Sequence, residues 1–336
     1  MDPRFRGDDC SYCRHPRESR DSPALTTLSV PSQTSCPLLS GFAPPQTPWP
    51  LLLLALVAGL AVGSFLNVCI VRWPADESVV RPPSRCPRCG RELRWYENIP
   101  VLSWLALRGR CAGCGLPISP LYPLVELSVG LVWVAAAWVF GPSVDAVRVA
   151  VLVTVLLGIA VTDARAMVIP DGFTVFLLLF GLLMSAVGQR PGAPTLFADP
   201  YQSFLGACAG AGLVAIIGWL GELAFKKEAM GFGDVTMMAA VGASLGPERA
   251  LMTVLLGAFF GAVASLLVLV PVAVMRRRSA GSAAAAGAGG EEAGVSLLGD
   301  LPHVPFGVFL APAAVVALFS GDQIIAWYFT HVTANA

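Results

Sequence analysis

Two aspartates at the ends of apolar stretches are the residues of this chain best suited to chemistry. Asp234 follows Gly231–Gly233 and opens an apolar run, and Asp163 closes another apolar segment about seventy residues earlier. Ionised carboxylates are poorly solvated at a membrane, so they are rare there unless they form ion pairs or have a function. Glycines beside Asp234 let the backbone bend and let another chain approach closely. Two carboxylates brought together could activate water and polarise a carbonyl, which one carboxylate does poorly.

Structural roles are an open alternative for these acidic residues. Asp163 could pair with Arg165 at a helix end, and Asp234 could be the N-cap of the next helix. Asp171, which follows Pro170, is predicted to cap its helix. The three histidines of the chain are not near a candidate nucleophile, so a Ser/His/Asp mechanism is not indicated. Among hydrolytic mechanisms, catalysis by two acidic residues or by a metal ion remains.

Four cysteines in one polar loop form two CxxC pairs, Cys86 with Cys89 and Cys111 with Cys114, separated by 21 residues. This spacing is typical of structural zinc sites in which four thiolates hold one tetrahedral ion. Two disulfides are the alternative, and they are disfavoured if the loop is cytoplasmic, because reducing compartments keep thiols free. We therefore predict a structural zinc ion, which would supply much of the stability of this short loop.

The composition indicates a membrane protein. Hydrophobic residues make up 55% of the 336 residues and charged residues only 13%, with a mean hydropathy of +0.69. An average soluble domain has about a quarter of its residues charged. The formal net charge is zero, and nothing in it suggests a nucleic-acid partner. We expect an all-α polytopic membrane protein that lies in a lipid bilayer and carries a small zinc-binding cytoplasmic loop domain.

Apolar runs of the length that crosses a bilayer predict about eight transmembrane helices. They cover about residues 49–71, 121–140, 144–162, 169–188, 203–225, 235–246, 249–275 and 304–329.

The domain organisation follows from these runs. We expect a disordered tail or mis-called start at 1–47, the first transmembrane helix at 48–72, the four-cysteine loop at 73–120, the transmembrane core at 121–275, a flexible cytoplasmic linker at 276–303, and the last transmembrane helix with the C-terminus at 304–336.

Basic residues predict the orientation, because cytoplasmic loops carry the excess of Lys and Arg. With the cysteine loop inside, the inner segments hold fourteen basic residues and the outer loops hold three, Arg148, Arg190 and Arg249. Both termini then lie outside. The turns that carry Asp163 and Asp234 both face the cytoplasm, so these two residues could share one site at the inner membrane boundary.

Ordered motifs over about residues 50 to 320 resemble the bacterial prepilin peptidase family, also called type IV leader peptidases, which are GxGD-type aspartic proteases of the inner membrane. Besides the CxxC pairs, the residues that carry the resemblance are Gly63–Asn67, Asn98–Trp104, Pro123–Glu126, Asp163 with Ile169–Asp171, Met230–Asp234 and Pro305–Gly307.

This resemblance implies that Asp163 and Asp234 are the catalytic pair. It implies substrates that are prepilin or pseudopilin precursors of type IV pili or type II secretion, cut at the cytoplasmic face between a short basic leader and an apolar helix. It also implies methylation of the new N-terminus with S-adenosyl-L-methionine. The chain departs from the family at Thr236, where Lys is frequent, and at Leu121, where Arg is frequent.

Two other functions compete with an aspartic endopeptidase. A proton-coupled membrane transporter would also keep intramembrane acids. The aspartates, however, lie at predicted membrane edges beside Gly or Pro turns, where a peptide could reach them. A non-catalytic assembly protein of a pilus or secretion system would tolerate loss of either aspartate.

Overall fold

The computed structural model describes residues 47–86, 88–187, 196–226, 230–269 and 305–332. Within these ranges the protein is helical, and its only β-type pairings are two isolated bridges in the cysteine loop. The α-helices are α1 (Trp49–Arg72), α2 (Leu102–Ala106), α3 (Leu121–Phe140), α4 (Val144–Ala166), α5 (Asp171–Ser185), α6 (Pro200–Phe225), α7 (Phe232–Leu245), α8 (Pro247–Ala264) and α9 (Gly307–Val332). Short 3₁₀ helices cover Trp73–Ala75 and Trp95–Asn98, and a π-helical turn, Ser265–Leu269, extends α8.

Six of these helices are long and apolar enough to cross a membrane: α1, α3, α4, α6, α8 and α9. The other two apolar helices, α5 and α7, have 15 and 14 residues. At 1.5 Å per residue they rise about 21–23 Å, less than a hydrocarbon layer of about 30 Å. The prediction of about eight transmembrane helices is therefore not confirmed: among the described residues six helices have the length of a full span, and two further apolar helices are shorter.

Helix α4 is the centre of the bundle. Its most apolar stretch is 56% buried, the largest share among the six candidate spans. It packs against α1, α3, α5 and α9. Leu152, Leu156 and Ile159 on α4 are almost fully buried, together with Val129 of α3 and Leu177 of α5. Because α4 ends at the turn that carries Asp163, the best-packed helix holds the first candidate residue in place.

Helices α6 and α7 approach so closely that only glycine fits between them. A Cβ atom on Gly242 of α7 would collide with the backbone of Gly206, and one on Gly210 would collide with the carbonyl oxygen of Met238. Small residues at such contacts let helix backbones pack closely in membranes. This packing fixes α7, which carries Asp234.

Two arginines that were predicted to lie in outer loops are instead buried within helices. Arg148 of α4 is 4% exposed and donates a hydrogen bond to the Val187 carbonyl, and Arg249 of α8 is 8% exposed and forms an ion pair with Asp322. Arg148 binds a carbonyl just beyond the end of α5, and Arg249 pairs with Asp322 in the interior of α9, so both act as tertiary contacts. Their value as indicators of orientation is correspondingly small.

Several predictions fall outside the described residues. These are the tail at 1–46, Arg190, the linker at 276–303 and the last residues, 333–336.

Candidate active site and cysteine cluster

Asp163 lies in the last turn of α4. The helix ends at Met167, which adopts a left-handed conformation with φ of 53° and donates its N–H to the Asp163 carbonyl. The side chain of Asp163 is 5% exposed, and its Oδ2 accepts a hydrogen bond of 3.1 Å from the N–H of Val308 in the first turn of α9. No ion pair joins Asp163 to Arg165 in the part of the chain that the structure describes. The pairing alternative for Asp163 is therefore wrong.

Asp234 lies in the first turn of α7 and is 8% exposed. Gly231 is the N-cap of this helix and makes no side-chain cap, so Asp234 is not the N-cap residue that the alternative interpretation required. Its Oδ1 is buried and has no hydrogen-bond partner among the described residues. A buried polar atom without a partner is unfavourable and is rare outside functional sites or sites that hold water. This oxygen is thus available to a water molecule, a proton or a substrate.

Ile169 brings the two aspartates to one place. A Cβ on Gly233, next to Asp234, would lie 2.8 Å from the Ile169 Cβ, and a Cβ on Gly307 would lie 2.9 Å from the Ile169 Cδ1 and 2.8 Å from the Asp163 Oδ2. Ile169 thus lies against the segment that precedes Asp234 and against the start of α9 beside the Asp163 carboxylate. We refer to Asp163 and Asp234 as the aspartate pair. Three separate parts of the chain, α4 with its following turn, the start of α7 and the start of α9, form the site.

The prediction that Asp171 caps its helix is wrong. Pro170 is the N-cap of α5, and no side-chain hydrogen bond caps that helix. Asp171 is its first residue, where a negative charge interacts favourably with the helix dipole. It is exposed and belongs to no buried acidic group.

The four cysteines of the loop come together as predicted. Their sulfur atoms all lie within 4.8 Å of one another, and the Cys86 and Cys114 sulfurs are 3.9 Å apart. Zinc–sulfur bonds of about 2.3 Å in a tetrahedron separate the sulfurs by just under 4 Å, so the arrangement fits such an ion. All four positions would be protein thiolates, which is the closed coordination of a structural site.

The two CxxC pairs are built in the same way. Cys86 donates its N–H to the Arg91 carbonyl and Cys111 donates to the Leu116 carbonyl, each at 2.9 Å. Gly90 and Gly115 then return the chain with φ of 68° in both cases, a conformation that favours glycine. The backbone conformation after each CxxC pair thus explains why glycine follows the second cysteine.

Backbone amides of these turns favour the thiolate form. The pKa of Cys111 is lowered to about 6 by hydrogen bonds from the amides of Cys114 and Gly113. The amides of Cys89 and Arg88 lower the pKa of Cys86 in the same way. Thiolates are the form that binds metal, so each CxxC turn prepares its first cysteine as a ligand.

A contact that sequence reasoning missed attaches the cysteine loop to the membrane helices. Glu126 of α3 accepts a hydrogen bond of 2.7 Å from the Val101 N–H of the loop. Val101 has φ of 61°, which is unusual for a β-branched residue. Asn67 of α1 donates to the Tyr122 carbonyl at 3.0 Å nearby. The motifs that hold these residues join α1, α3 and the loop into one structure.

The structure defines the class as a multi-pass membrane protein: a bundle of apolar helices that buries two carboxylates from different helices. Comparisons with known proteins agree with this class. Residues 57–140 match the profile of the bacterial peptidase A24 N-terminal domain, and residues 150–266 match that of the type IV leader peptidase family.

Relatives cover most of the chain. A prepilin leader peptidase/N-methyltransferase of Stutzerimonas stutzeri is 36% identical over 84% of this chain and 95% of its own length. One of Pseudomonas aeruginosa is 34% identical over 87% of this chain and 97% of its own length. One of Myxococcus xanthus is 46% identical, over 63% of this chain and 62% of its own length.

The chain belongs to the type IV leader peptidase family. The family and the apolar helices indicate a multi-pass protein of the inner membrane. No solved structure matches the chain.

Proposed function

We propose that this protein is a prepilin leader peptidase in which Asp163 and Asp234 cut the peptide bond between the basic leader and the apolar helix of pilin-like precursors. The observation that carries the proposal is the meeting of two buried carboxylates from distant parts of the chain, one of them with an unpartnered oxygen. The printed names of the relatives support the same activity.

Two neighbouring carboxylates do not both ionise easily, so they share one proton and divide the work. The ionised carboxylate takes a proton from a water molecule as its oxygen attacks the scissile carbonyl carbon. The protonated carboxyl group donates to the carbonyl oxygen, which gives a neutral tetrahedral diol. Collapse of this intermediate breaks the C–N bond, and the leaving nitrogen receives a proton from the pair. The pair acts as a unit, so neither residue is assigned as the base.

The backbone around Asp163 supports its positioning. The N–H of Val308 holds Oδ2, and no side chain of Gly307 occupies the space beside that oxygen. The other carboxylate, Asp234, keeps its unpartnered Oδ1. This asymmetry suits a pair in which one member is held in place and the other exchanges protons with water.

The cysteine loop and the aspartate pair face the cytoplasm in this proposal, as the excess of basic residues in the loop favours. Zinc held by Cys86, Cys89, Cys111 and Cys114 stabilises the loop and takes no part in cutting. The new amino terminus is then methylated, with S-adenosyl-L-methionine as the methyl donor. Support for this second activity is the printed name of the relatives, and no described residue is assigned to the donor.

Cleavage of a pilin-like precursor in membranes tests the peptidase proposal. The native chain is compared with Asp163→Asn and Asp234→Asn, and Asp171→Asn is the matched control because that residue is exposed and makes no cap. Loss of acid–base chemistry lowers rates by about 10²–10⁴-fold. We expect a loss of that size for the first two variants and none for the control. Native-rate cleavage by either of the two, at equal protein abundance, would refute the proposed mechanism.

A further inference from the structure

An apolar cavity of about 350 Å³ opens between α6, α8 and the start of α9. Its walls include Ile217 of α6, Val254 and Ala258 of α8, Phe309 of α9, and the loop residues Met230 and Phe306. We call this cavity the α8 groove. Its volume lies at the lower end of the range for specific binding pockets. Almost all of its lining is apolar, so it suits hydrocarbon side chains.

Two wall residues of the groove lie next to glycines that contact the aspartate pair. Met230 directly precedes Gly231, whose carbonyl accepts the Asp234 N–H. Phe306 directly precedes Gly307, which lies against the Asp163 carboxylate. Each of these two wall residues therefore directly precedes a glycine that contacts one member of the pair, so the groove lies on the path of a substrate chain that leaves the pair.

The groove continues from there along α8. The lining residues of α8 run from Val254 to Ser265, which at 1.5 Å per residue is about 16 Å, or three helical turns. Ala258 is exposed on this face, so the groove is open towards the side of the bundle. Lipid surrounds that side in a membrane, and a helix that lies in the bilayer can enter the groove from there.

We infer that the α8 groove binds the first turns of the substrate's apolar helix, immediately after the scissile bond, and thereby sets which bond reaches the aspartate pair. This inference rests on the proposed function. A groove of this volume takes the side chains on one face of a helix, as ridges fit grooves in helix packing. Binding at a distance from the reacting bond positions that bond, which lowers the entropy cost of the reaction.

Filling the groove tests the inference. Ala258→Trp fills it, and Ala215→Trp, an exposed position of α6 outside the lining, is the matched control. Each variant receives the full precursor and a short peptide that spans the scissile bond but lacks the apolar helix. We expect Ala258→Trp to raise KM for the full precursor about tenfold or more, and to leave cleavage of the short peptide and the control unchanged. An unchanged KM for the precursor would overturn the inference.

Failure of the proposed function would look different, because the native chain would then cut neither substrate.

Crosslinking gives a second test that needs no activity. In an Asp234→Asn chain, benzoylphenylalanine replaces Phe309 in the groove or Phe259, which is 61% exposed on α8. Photocrosslinks from position 309, and not 259, should map to the precursor's apolar helix. Equal crosslinking from both positions would overturn the inference. So would crosslinks only to lipid, to another part of this chain or to a second copy. This test decides the matter even where Ala258→Trp misfolds.

Discussion

Gly307→Ala places one methyl group against the aspartate pair. The new Cβ would lie 2.8 Å from the Oδ2 of Asp163, about 0.6 Å inside the distance of 3.4 Å at which ordinary contact begins. The far end of a carboxylate moves more easily than backbone, so Asp163 should give way. A movement of this size away from Gly307 is enough to break the 3.1 Å hydrogen bond from the Val308 N–H.

The size of the effect follows from that bond. A hydrogen bond to a charged group is worth about 1.5–3 kcal/mol. If the bond positions Asp163 in the transition state, its loss lowers kcat by about 10- to 150-fold. Stability should change little, because alanine is favoured over glycine in a helix by about 1 kcal/mol and this gain offsets the local crowding at the start of α9.

The assay measures kcat and KM for a pilin-like precursor in detergent, together with Tm. Gly212→Ala is the matched control, since a Cβ there meets nothing within 4 Å. We expect a fall in kcat for Gly307→Ala with nearly native KM and Tm, and native values for the control. If Gly307→Ala cuts at the native rate, the contact between the α9 start and Asp163 does not position the catalytic carboxylate.

Two further predictions concern the parts that support the pair. Cys111→Ser should remove the bound zinc, which we expect at about one equivalent per native chain, and should make the cysteine loop sensitive to trypsin. Cys208→Ser is the control. A full equivalent of zinc in Cys111→Ser would contradict the closed four-cysteine site. Gly242→Ala should push α7 away from the Gly206 backbone and lower stability by about 1–3 kcal/mol, seen as a lower Tm and weaker cleavage. A native Tm would show that the α6–α7 contact tolerates a methyl group.

Sequence patterns located the helices well because each apolar run is long and is bounded by polar or Gly/Pro residues. The starts of α3, α4 and α9 lie within three residues of the predicted starts. The cysteine cluster was equally predictable, because the CxxC spacing determines that each turn presents two sulfurs on one side. The helices and each CxxC turn are local properties, whereas the meeting of the two turns joins residues 28 apart in the chain and was inferred from the spacing typical of zinc sites.

Tertiary contacts could not be predicted in this way. The hydrogen bond from Val308 to Asp163 spans 145 residues, and nothing in the sequence near either residue indicates it. The same is true of Arg249 and Asp322, which are 73 residues apart. The sequence places Arg148 and Arg249 in outer loops, whereas the structure buries both in tertiary contacts with other parts of the bundle. The resemblance of ordered motifs included Pro305–Gly307, and only the structure places that motif beside Asp163.

The depth of the aspartate pair in the bilayer follows from helix lengths. Arg148 lies beside Ser185 and Ser244, the ends of α5 and α7, so the three helices share one level there. Asp163 is fifteen residues further along α4, about 22 Å away. If the Arg148 level is one edge of a 30 Å hydrocarbon layer, the pair lies about 8 Å below the other edge. On that premise a peptide bond has to descend into the bundle to reach the pair, which is deeper than the membrane edge expected from the sequence.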